Sequence, residues 1–319
     1  MTDQHRADGS LRHLLTLDGL SRAQIETLLE RSQHFARTLG AAPPRESALT
    51  GVTVANLFTE PSTRTRVSFE LAAKRLGAEV VNLEVQLSSR AKGESMLDTV
   101  FTLESLHVDV FVIRDAEAGV PALVAGHVAP HVSVLSAGEA HLAHPTQGLL
   151  DALTVLQHKG RFDDLTVAVV GDIRHSRVAR SAAHAMRTLG VRELRIVGPP
   201  ALMPDEHEFT GCRRFTRLED GVRDADVVMM LRIQRERFAN ADVPAGDDYF
   251  REYGLTPARL ALARPDAIVM HPQPMNRGVE ISSEVADGPR SVIRRQVSNG
   301  VAVRMAVLET IVSGRRSLR

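Results

Sequence analysis

Residue types that support whole classes of protein are scarce in this chain. Cys212 is the only cysteine among 319 residues, which excludes an intrachain disulfide framework and a cysteine-based structural zinc site. Apolar residues never form a run long enough to cross a bilayer, and the polar segment 1–10 lacks the basic and apolar regions of a secretory signal. These absences predict a cytoplasmic protein with no membrane partner and no thiol redox chemistry.

An excess of charge of one sign is also missing. Lysine plus arginine and aspartate plus glutamate number 39 each, so there is no global basic field of the kind that binds nucleic acid through its phosphates. Only Lys74, Lys92 and Lys159 are lysines, and all other basic residues apart from histidine are arginines. Recognition of an anion must therefore be local, and any single arginine is weak evidence for it.

The order of apolar segments indicates a parallel α/β protein. Short runs of β-branched and aliphatic residues alternate with longer helical patterns. The predicted strands are 53–58, 79–83, 108–113, 132–135, 166–170, 193–197, 226–231 and 267–270. The length favours two domains, and the helical pattern 147–157, followed by Gly160, favours a boundary near residue 155.

Helical patterns also lie near the two ends of the sequence. Ser21 and Gln24 have the spacing of a capping box, which predicts a helix that starts after Ser21. Segment 289–311 has apolar residues at helical spacing. We expect this last helix to pack back on the body of the protein.

Polar and basic residues follow six of the predicted strands, where ligands bind in open parallel sheets. The segments concerned are TEPSTRTR (59–66), Arg114, HPTQ (144–147), GDIRHSR (171–177), LRIQRER (231–237) and HPQPMNRG (271–278). Together they form two half-sites rich in cations and in hydroxyl or amide donors. This pattern predicts a pocket for a polyanionic small molecule.

The segment PSTRTR carries the most chemistry. Pro61 ends the strand, and Ser62 or Thr63 is expected to cap a helix that begins near Arg64. The amides of that first turn and the guanidinium suit a phosphate, although a plain capped helix is the alternative. No GxxxxGK[ST] loop occurs, and the strand that ends at Val170 does not continue into GxGxxG, so a nucleotide triphosphatase and an NAD-dependent dehydrogenase are both disfavoured.

The motifs FTEPSTRTRVSFE, SSRAKGES, HPTQGLLD, RIQRER and HPQPMNRGVEI resemble those of the aspartate and ornithine carbamoyltransferases, in the family's order and over nearly the full chain. Ornithine enzymes usually carry HPCQ, a cysteine in the late motif and a tryptophan-containing loop. This chain has Thr146, no cysteine near His271 and no tryptophan. Arg232 stands where that loop would be, and a cation suits the side-chain carboxylate of aspartate but repels the ammonium of ornithine.

The resemblance implies two doubly wound parallel-sheet domains with the active site between them. Residues 1–155 would bind carbamoyl phosphate, with the C-terminal helix 289–319 packing back on them, and residues 156–288 would bind aspartate. The implied activity is that of a transferase that moves the carbamoyl group of carbamoyl phosphate to the amine of L-aspartate, early in de novo pyrimidine biosynthesis. The resemblance implies neither a metal nor a cofactor.

The resemblance also implies roles for individual residues. Four residues would hold the phosphate: Ser62, Thr63, Arg64 and Thr65. Three would grip the carbonyl oxygen of carbamoyl phosphate: Thr65, Arg114 and His144. The carbamoyl NH2 would be received by Gln147 and by the backbone carbonyls near Gln273 and Pro274. The carboxylates of aspartate would be bound by Lys92, Arg177, Arg232 and Gln234.

Ser88 and Lys92 match residues that reach into a neighbouring subunit's site, so the resemblance implies a homotrimer with shared active sites. From the residues alone, a solvated loop lysine is the alternative. The family leaves a regulatory chain or a dihydroorotase open as a partner. Gln273 departs from the small residue or leucine that is frequent in the family, and we expect it to shift affinity without loss of activity. His175 and Ser176 are assigned no role.

Rival functions remain at this point. The nearest is carbamoylation of another amine, such as ornithine. A second is a catalytically silent, phosphate-binding partner subunit. The intact set of Arg64, Arg114 and His144 disfavours this second function.

Overall fold

A computed structural model describes residues 4–37, 41–84, 95–233 and 246–316. The chain divides into two compact units. The first unit comprises Met1–Leu149 and Asn299–Arg319, and the second comprises Leu150–Ser298. Within the described residues, no helix is both long enough and apolar enough to span a membrane.

The first unit is built on a four-stranded parallel sheet with strand order β2-β1-β3-β4. Its elements, in chain order, are α1 (Arg22–Phe35), β1 (Thr53–Phe58), α2 (Thr63–Arg75), β2 (Glu79–Glu84), α3 (Met96–Ser105), β3 (Val110–Asp115), α4 (Val120–Ala125), β4 (Ser133–Glu139) and the start of α5 (Pro145–Lys159). Strands β1, β3 and β4 are almost completely buried, as is typical of a parallel sheet, whereas the edge strand β2 is partly exposed. The core between sheet and helices includes Leu57, Phe111 and Ile113, all with no exposed area.

The second unit is built on a five-stranded parallel sheet with strand order β7-β6-β5-β8-β9. After α5 its elements are β5 (Thr166–Val170), α6 (Arg177–Thr188), β6 (Glu193–Val197), a 3-10 turn (Pro200–Leu202), β7 (Arg213–Phe215), α7 (Leu218–Val222), β8 (Val227–Met230), α8 (Gly246–Tyr253), α9 (Pro257–Leu260), β9 (Ile268–Met270), α10 (Ser283–Ala286) and the start of α11 (Ile293–Arg316). Its core includes Val170, Val228 and Val269 from three adjacent strands.

The predicted fold class, two parallel-sheet α/β units with a C-terminal helix, is confirmed. All eight predicted strands are present, with β3 and β4 displaced or extended toward their carboxyl ends. The short strand β7 was not predicted. Its sequence is Arg-Arg-Phe, and both arginines are exposed, so it has no apolar run to reveal it.

The two end helices follow the sequence patterns. Ser21 and Gln24 form the predicted capping box at the start of α1. The later part of α11 packs on the first unit, where Arg31 Nη2 donates to Glu309 Oε1 at 2.7 Å and the Arg304 guanidinium lies 4.8 Å from the Phe69 ring centroid. These contacts hold the C-terminal helix against α1 and α2.

Candidate active site

The predicted site residues of the first unit follow three adjacent strands. Strands β1, β3 and β4 are parallel neighbours, so their carboxyl ends lie at one edge of the sheet. Thr59, which follows β1, donates to the Arg114 carbonyl through its amide at 2.9 Å and its hydroxyl at 3.2 Å. The segment TEPSTRTR (59–66) is thereby fixed directly to the strand that carries Arg114.

The helix start at Ser62 differs from the expectation. Ser62 occupies the N-cap position of α2, but its side chain makes no capping hydrogen bond, so the predicted hydroxyl cap is wrong. The backbone angles, φ −157° and ψ 78°, depart from the extended geometry that normally turns a hydroxyl toward the N3 amide. Thr63 and Arg64 are exposed, whereas Thr65 is buried in the first turn. The result is a helix N-terminus whose amides receive no cap from the serine hydroxyl.

Arg114 is held in a defined orientation near the end of β3. Its side chain is 12% exposed, Nη1 donates to the Ala137 carbonyl at 3.2 Å, and Nε lies 3.3 Å from Glu60 Oε2. A guanidinium fixed by a carbonyl and a carboxylate loses little further freedom when it binds an anion. Glu60 was not predicted as a site residue, although it directly precedes Pro61 in the segment TEPSTRTR.

The HPTQ motif forms the start of α5. His144, Thr146 and Gln147 are buried, and the His144 carbonyl accepts hydrogen bonds from the amides of Gln147 at 2.9 Å and Gly148 at 3.2 Å. Within the described part of the chain, Thr146 Oγ1 has no hydrogen-bond partner. The short helical turn thus brings the His144 and Gln147 side chains onto one compact segment.

Two buried acids at the same sheet edge were also missed. Asp115 and Glu139 are register partners at the ends of β3 and β4. Burial raises the pKa of Glu139, the hydrogen bond from the Gly119 amide opposes that change, and the nearby Asp115 charge adds to it. They are the last residues of the observed strands, but the predicted strands ended at residues 113 and 135, so the sequence pattern did not reach them.

In the second unit, Arg177 lies at the start of α6, after β5. The Ser176 side chain caps this helix by accepting the Ala179 amide at 3.1 Å, and Arg177 is only 8% exposed. His175 Nδ1 lies 3.0 Å from Asp172 Oδ1. Ser176 and His175, which were assigned no role from the sequence, therefore shape the segment that carries Arg177.

Arg232 follows the neighbouring strand β8 and is half-buried. Leu231 donates its amide to the Val170 carbonyl at 2.8 Å, which keeps the end of β8 beside the end of β5. Gly171 adopts φ +133°, and a Cβ there would lie 3.0 Å from the Leu231 Cβ, so a side chain would force these ends apart. The segments that carry Arg177 and Arg232 are thus adjacent.

The loop after β9 contains Gln273 and Pro274, joined by a cis peptide bond. Gln273 is partly buried and has φ +63°, a left-handed conformation that is unusual for a residue other than glycine. Its amide donates to His271 Nδ1 at 2.9 Å. Pro274 is exposed. The backbone of this loop is thus held in place at Gln273.

Three predicted site residues, Ser88, Lys92 and Gln234, lie outside the described residues. The others lie in the segments at the carboxyl ends of β1, β3 and β4 in the first unit and of β5, β8 and β9 in the second. Each unit therefore presents arginines together with hydroxyl, amide or carbonyl groups at the carboxyl edge of its sheet. Such groups bind anions and orient a carbonyl or an amide.

Models of two domains of one protein family match this chain. The model of the aspartate/ornithine carbamoyltransferase carbamoyl-P binding domain matches residues 12–157, and that of the Asp/Orn binding domain matches residues 163–311. Aspartate transcarbamoylase from Trypanosoma cruzi, in complex with aspartate and phosphate, is 32% identical with a TM-score of 0.81, covering 94% of this chain and 95% of its own. The same enzyme in complex with carbamoyl aspartate and phosphate is 32% identical with a TM-score of 0.80, covering 94% and 96%.

An ornithine enzyme is also similar. Ornithine carbamoyltransferase from Thermus thermophilus is 26% identical with a TM-score of 0.82, covering 94% of this chain and 99% of its own. Both branches of the family therefore share the fold described above. With family models across both of its units and a relative 32% identical over 94% of its length, the chain belongs to the aspartate/ornithine carbamoyltransferase family of enzymes.

Proposed function

We propose that this chain transfers the carbamoyl group of carbamoyl phosphate to the amine of L-aspartate, giving N-carbamoyl-L-aspartate and phosphate as an early step of pyrimidine synthesis. The observation that carries this choice within the family is the pair of arginines at the ends of adjacent strands β5 and β8. Arg177 and Arg232 put two permanent positive charges on neighbouring segments of the second unit. Two guanidinium groups suit a dicarboxylate, whereas the side-chain ammonium of ornithine would be repelled.

The first unit is proposed to bind carbamoyl phosphate. The start of α2, with Ser62, Thr63, Arg64 and Thr65, supplies hydroxyls, a guanidinium and helix amides for the phosphate. The absence of a side-chain cap at Ser62 supports this role because the hydroxyl remains available to a ligand oxygen. An anion there also interacts favourably with the helix dipole.

Charge that develops on the carbonyl oxygen is proposed to be stabilised by Arg114, His144 and Thr65. Attack by the amine makes this oxygen negative, so donors aimed at it stabilise the transition state more than the bound substrate. The bonds from Arg114 to Ala137 and Glu60 fix the guanidinium before substrate arrives. Prearranged donors of this kind need little reorganisation during the reaction.

The amide of the carbamoyl group is proposed to bind Gln147 and the backbone carbonyls of Gln273 and Pro274. The aspartate carboxylates would be held by Arg177 and Arg232, with Lys92 and Gln234 as the further residues implied by the motifs. Holding both substrates in line contributes on the order of 7 to 11 kcal/mol without a covalent intermediate.

The reaction then balances without a protein base. The aspartate nitrogen forms a bond to the carbonyl carbon, and the bond from that carbon to the phosphate oxygen breaks. Phosphate leaves with the electron pair and takes up the proton that the amine loses. The protein's contribution is to position the substrates and stabilise the intermediate oxyanion.

A homotrimer with shared sites is part of the proposal, since Ser88 and Lys92 match residues that reach a neighbouring site. Among the described residues, seven of the eight large exposed apolar side chains belong to the first unit, which favours a protein interface there. They are Val67, Leu71, Val81, Phe101, Leu106, Leu123 and Leu142. Light scattering of the purified protein should give three times the chain mass, and a monomer that is fully active would contradict shared sites.

The deciding experiment is detection of the carbamoylated product from carbamoyl phosphate with aspartate, and in parallel with ornithine. Product with aspartate alone supports the proposal. Product with ornithine alone overturns the role given to Arg177 and Arg232, and product with neither favours a silent, partner-dependent subunit.

A further inference from the structure

His271 and Glu280 form a fully buried pair in the second unit. Both side chains have 0% exposure, and His271 Nε2 lies 3.2 Å from Glu280 Oε1. Burying such groups is costly, and a buried pair of this kind often stabilises a protein no more than apolar residues of the same size would. The pair therefore calls for a role other than stability.

The hydrogen bonds around the pair indicate which ring nitrogen of His271 carries the proton. The Gln273 amide donates to His271 Nδ1 at 2.9 Å, so this ring nitrogen is an acceptor without a proton. Nε2 then carries the proton and donates to Glu280. The Asn276 amide donates to the same carboxylate oxygen, so Glu280 serves two donors from the loop after β9.

A second chain of bonds holds the start of the loop. The His271 amide donates to Gln296 Oε1 at 2.9 Å, and Gln296 Nε2 donates to Asp151 Oδ1 at 2.7 Å. Both Gln296 and Asp151 are buried. The backbone of the loop is thus fixed at residues 271, 273 and 276 by buried side chains.

The conformation that these bonds hold is an unfavourable one. Gln273 has φ +63°, a region that a non-glycine residue occupies only where its surroundings maintain it. The acceptor on His271 supplies part of that support. Because φ and ψ of Gln273 set the directions of the adjoining peptide groups, the His271 ring controls where the loop carbonyls point.

The same loop is also connected to the segment after β8. Asn276 Nδ2 donates to the Ile233 carbonyl at 3.4 Å, and Ile233 is the residue next to Arg232. Because Glu280 accepts the Asn276 amide, it helps to fix both the loop carbonyls and the backbone beside Arg232.

We propose that His271 and Glu280 are positioning residues, whose buried hydrogen bond aims the Gln273 and Pro274 carbonyls at the NH2 of the carbamoyl group. The inference rests on the proposed function, which assigns those carbonyls to the amide. It predicts that loss of the pair harms recognition of the amide while leaving recognition of the phosphate intact. A merely structural pair would not make that distinction.

The test uses full-length protein and calorimetric binding of two probes, phosphonoacetamide, which carries both the amide and a phosphonate, and inorganic phosphate. Glu280→Ala should weaken phosphonoacetamide about tenfold or more, the size expected when charge-assisted hydrogen bonds are lost, with phosphate binding within about twofold of wild type. Glu280→Gln retains an oxygen that accepts both donors and should restore phosphonoacetamide binding to within about threefold. Equal weakening of both probes, or of neither, overturns the proposal.

Asp226 provides a matched control in the same unit. It is a buried carboxylate at the opposite, amino end of the strands, where Oδ2 accepts the Thr166 amide at 2.8 Å. Asp226→Ala should lower stability while leaving the ratio of the two affinities unchanged. If Glu280→Ala fails to fold, Glu280→Asp decides, because its retracted carboxylate should weaken phosphonoacetamide selectively.

The two proposals fail in different ways. Wild-type protein that does not bind phosphonoacetamide contradicts the proposed function, and the inference falls with it. Wild-type protein that binds the probe, with Glu280 variants that show no selective loss, overturns the inference alone.

Discussion

The two units use a serine differently at the same kind of junction between a strand and a helix. Ser176 precedes α6 in the second unit and caps it through a side-chain bond to the Ala179 amide. Ser62 precedes α2 in the first unit at the same N-cap position and makes no such bond. Hydroxyl side chains also cap α1, α3, α9 and α10. Ser62 is thus the exception among the capping serines and threonines of the described residues.

The difference separates a junction that stabilises its own helix from one whose donors, in the proposed function, bind a ligand. A side-chain cap typically contributes about 1 kcal/mol, which the first unit forgoes at α2. In the second unit the cap is made, and the proposed ligand group is the guanidinium of Arg177. The first unit would therefore bind phosphate with backbone and hydroxyl donors, and the second would bind carboxylates with arginines.

The strongest test of this division is Arg114→Ala. If the first unit stabilises the oxyanion, kcat should fall by about 100- to 1,000-fold, as when a donor to such an oxygen is removed. Steady-state kinetics with both substrates measures the change. Arg180→Ala, which removes a comparable ion pair to Glu208, should leave kcat within about twofold. Similar losses in both variants would mean that Arg114 matters only for stability.

Arg232→Ala should act on the second substrate. Loss of a charge-assisted bond to a carboxylate should raise KM for aspartate by about 10- to 100-fold, with little change in the dissociation constant of carbamoyl phosphate. Initial rates and equilibrium binding together separate the two effects. Equal weakening of both substrates would break the proposed division between the units.

The paired variants Ser62→Ala and Ser176→Ala address the comparison directly. Ser62→Ala should weaken phosphate binding by a few-fold, about one neutral hydrogen bond, and leave the free energy of unfolding nearly unchanged. Ser176→Ala should lower that free energy by about 1 kcal/mol and leave phosphate binding unchanged. Calorimetric titration and urea denaturation measure both quantities, and loss of stability in Ser62→Ala would indicate an undetected cap.

The smallest expected effect concerns Glu139 in the first unit. Burial raises its pKa above the unfolded value, so the folded state favours the protonated acid and stability falls as pH rises from the ordinary carboxyl range through the folded pKa. Glu139→Gln keeps an acceptor for the Gly119 amide and should remove this decline. Urea denaturation at a series of pH values measures it, and an unchanged slope would assign the decline to another group.

Strands with an apolar run could be predicted from the sequence, and others could not. For β5 the run TVAVV predicted the bounds found in the structure, because a buried parallel strand must be apolar on both faces. The edge strand β7 has no such run, since its arginines stay exposed and only its backbone pairs with β6. Its existence depends on partners that lie elsewhere in the sequence.

The site was predictable to the extent that its residues directly follow strands. Arg114, Arg177 and Arg232 were predicted as candidate site residues from the rule that ligand groups lie at the carboxyl ends of parallel strands. The missing cap at Ser62 depends on backbone angles that no motif encodes. The support of the loop after β9 was missed because His271 lies 25 residues from Gln296, and Gln296 lies 145 residues from Asp151.

The exposed arginines of β7 also affect how readily the protein aggregates in solution. An outermost strand presents unpaired backbone groups on which a strand of another molecule can assemble. Arg213 and Arg214 are exposed on this strand. Arg213 is held in place by Glu193, and Arg214 donates to the backbone carbonyl of Asp205. Charges anchored at this border oppose fibrous aggregation, so they protect the sheet from growth beyond its fifth strand.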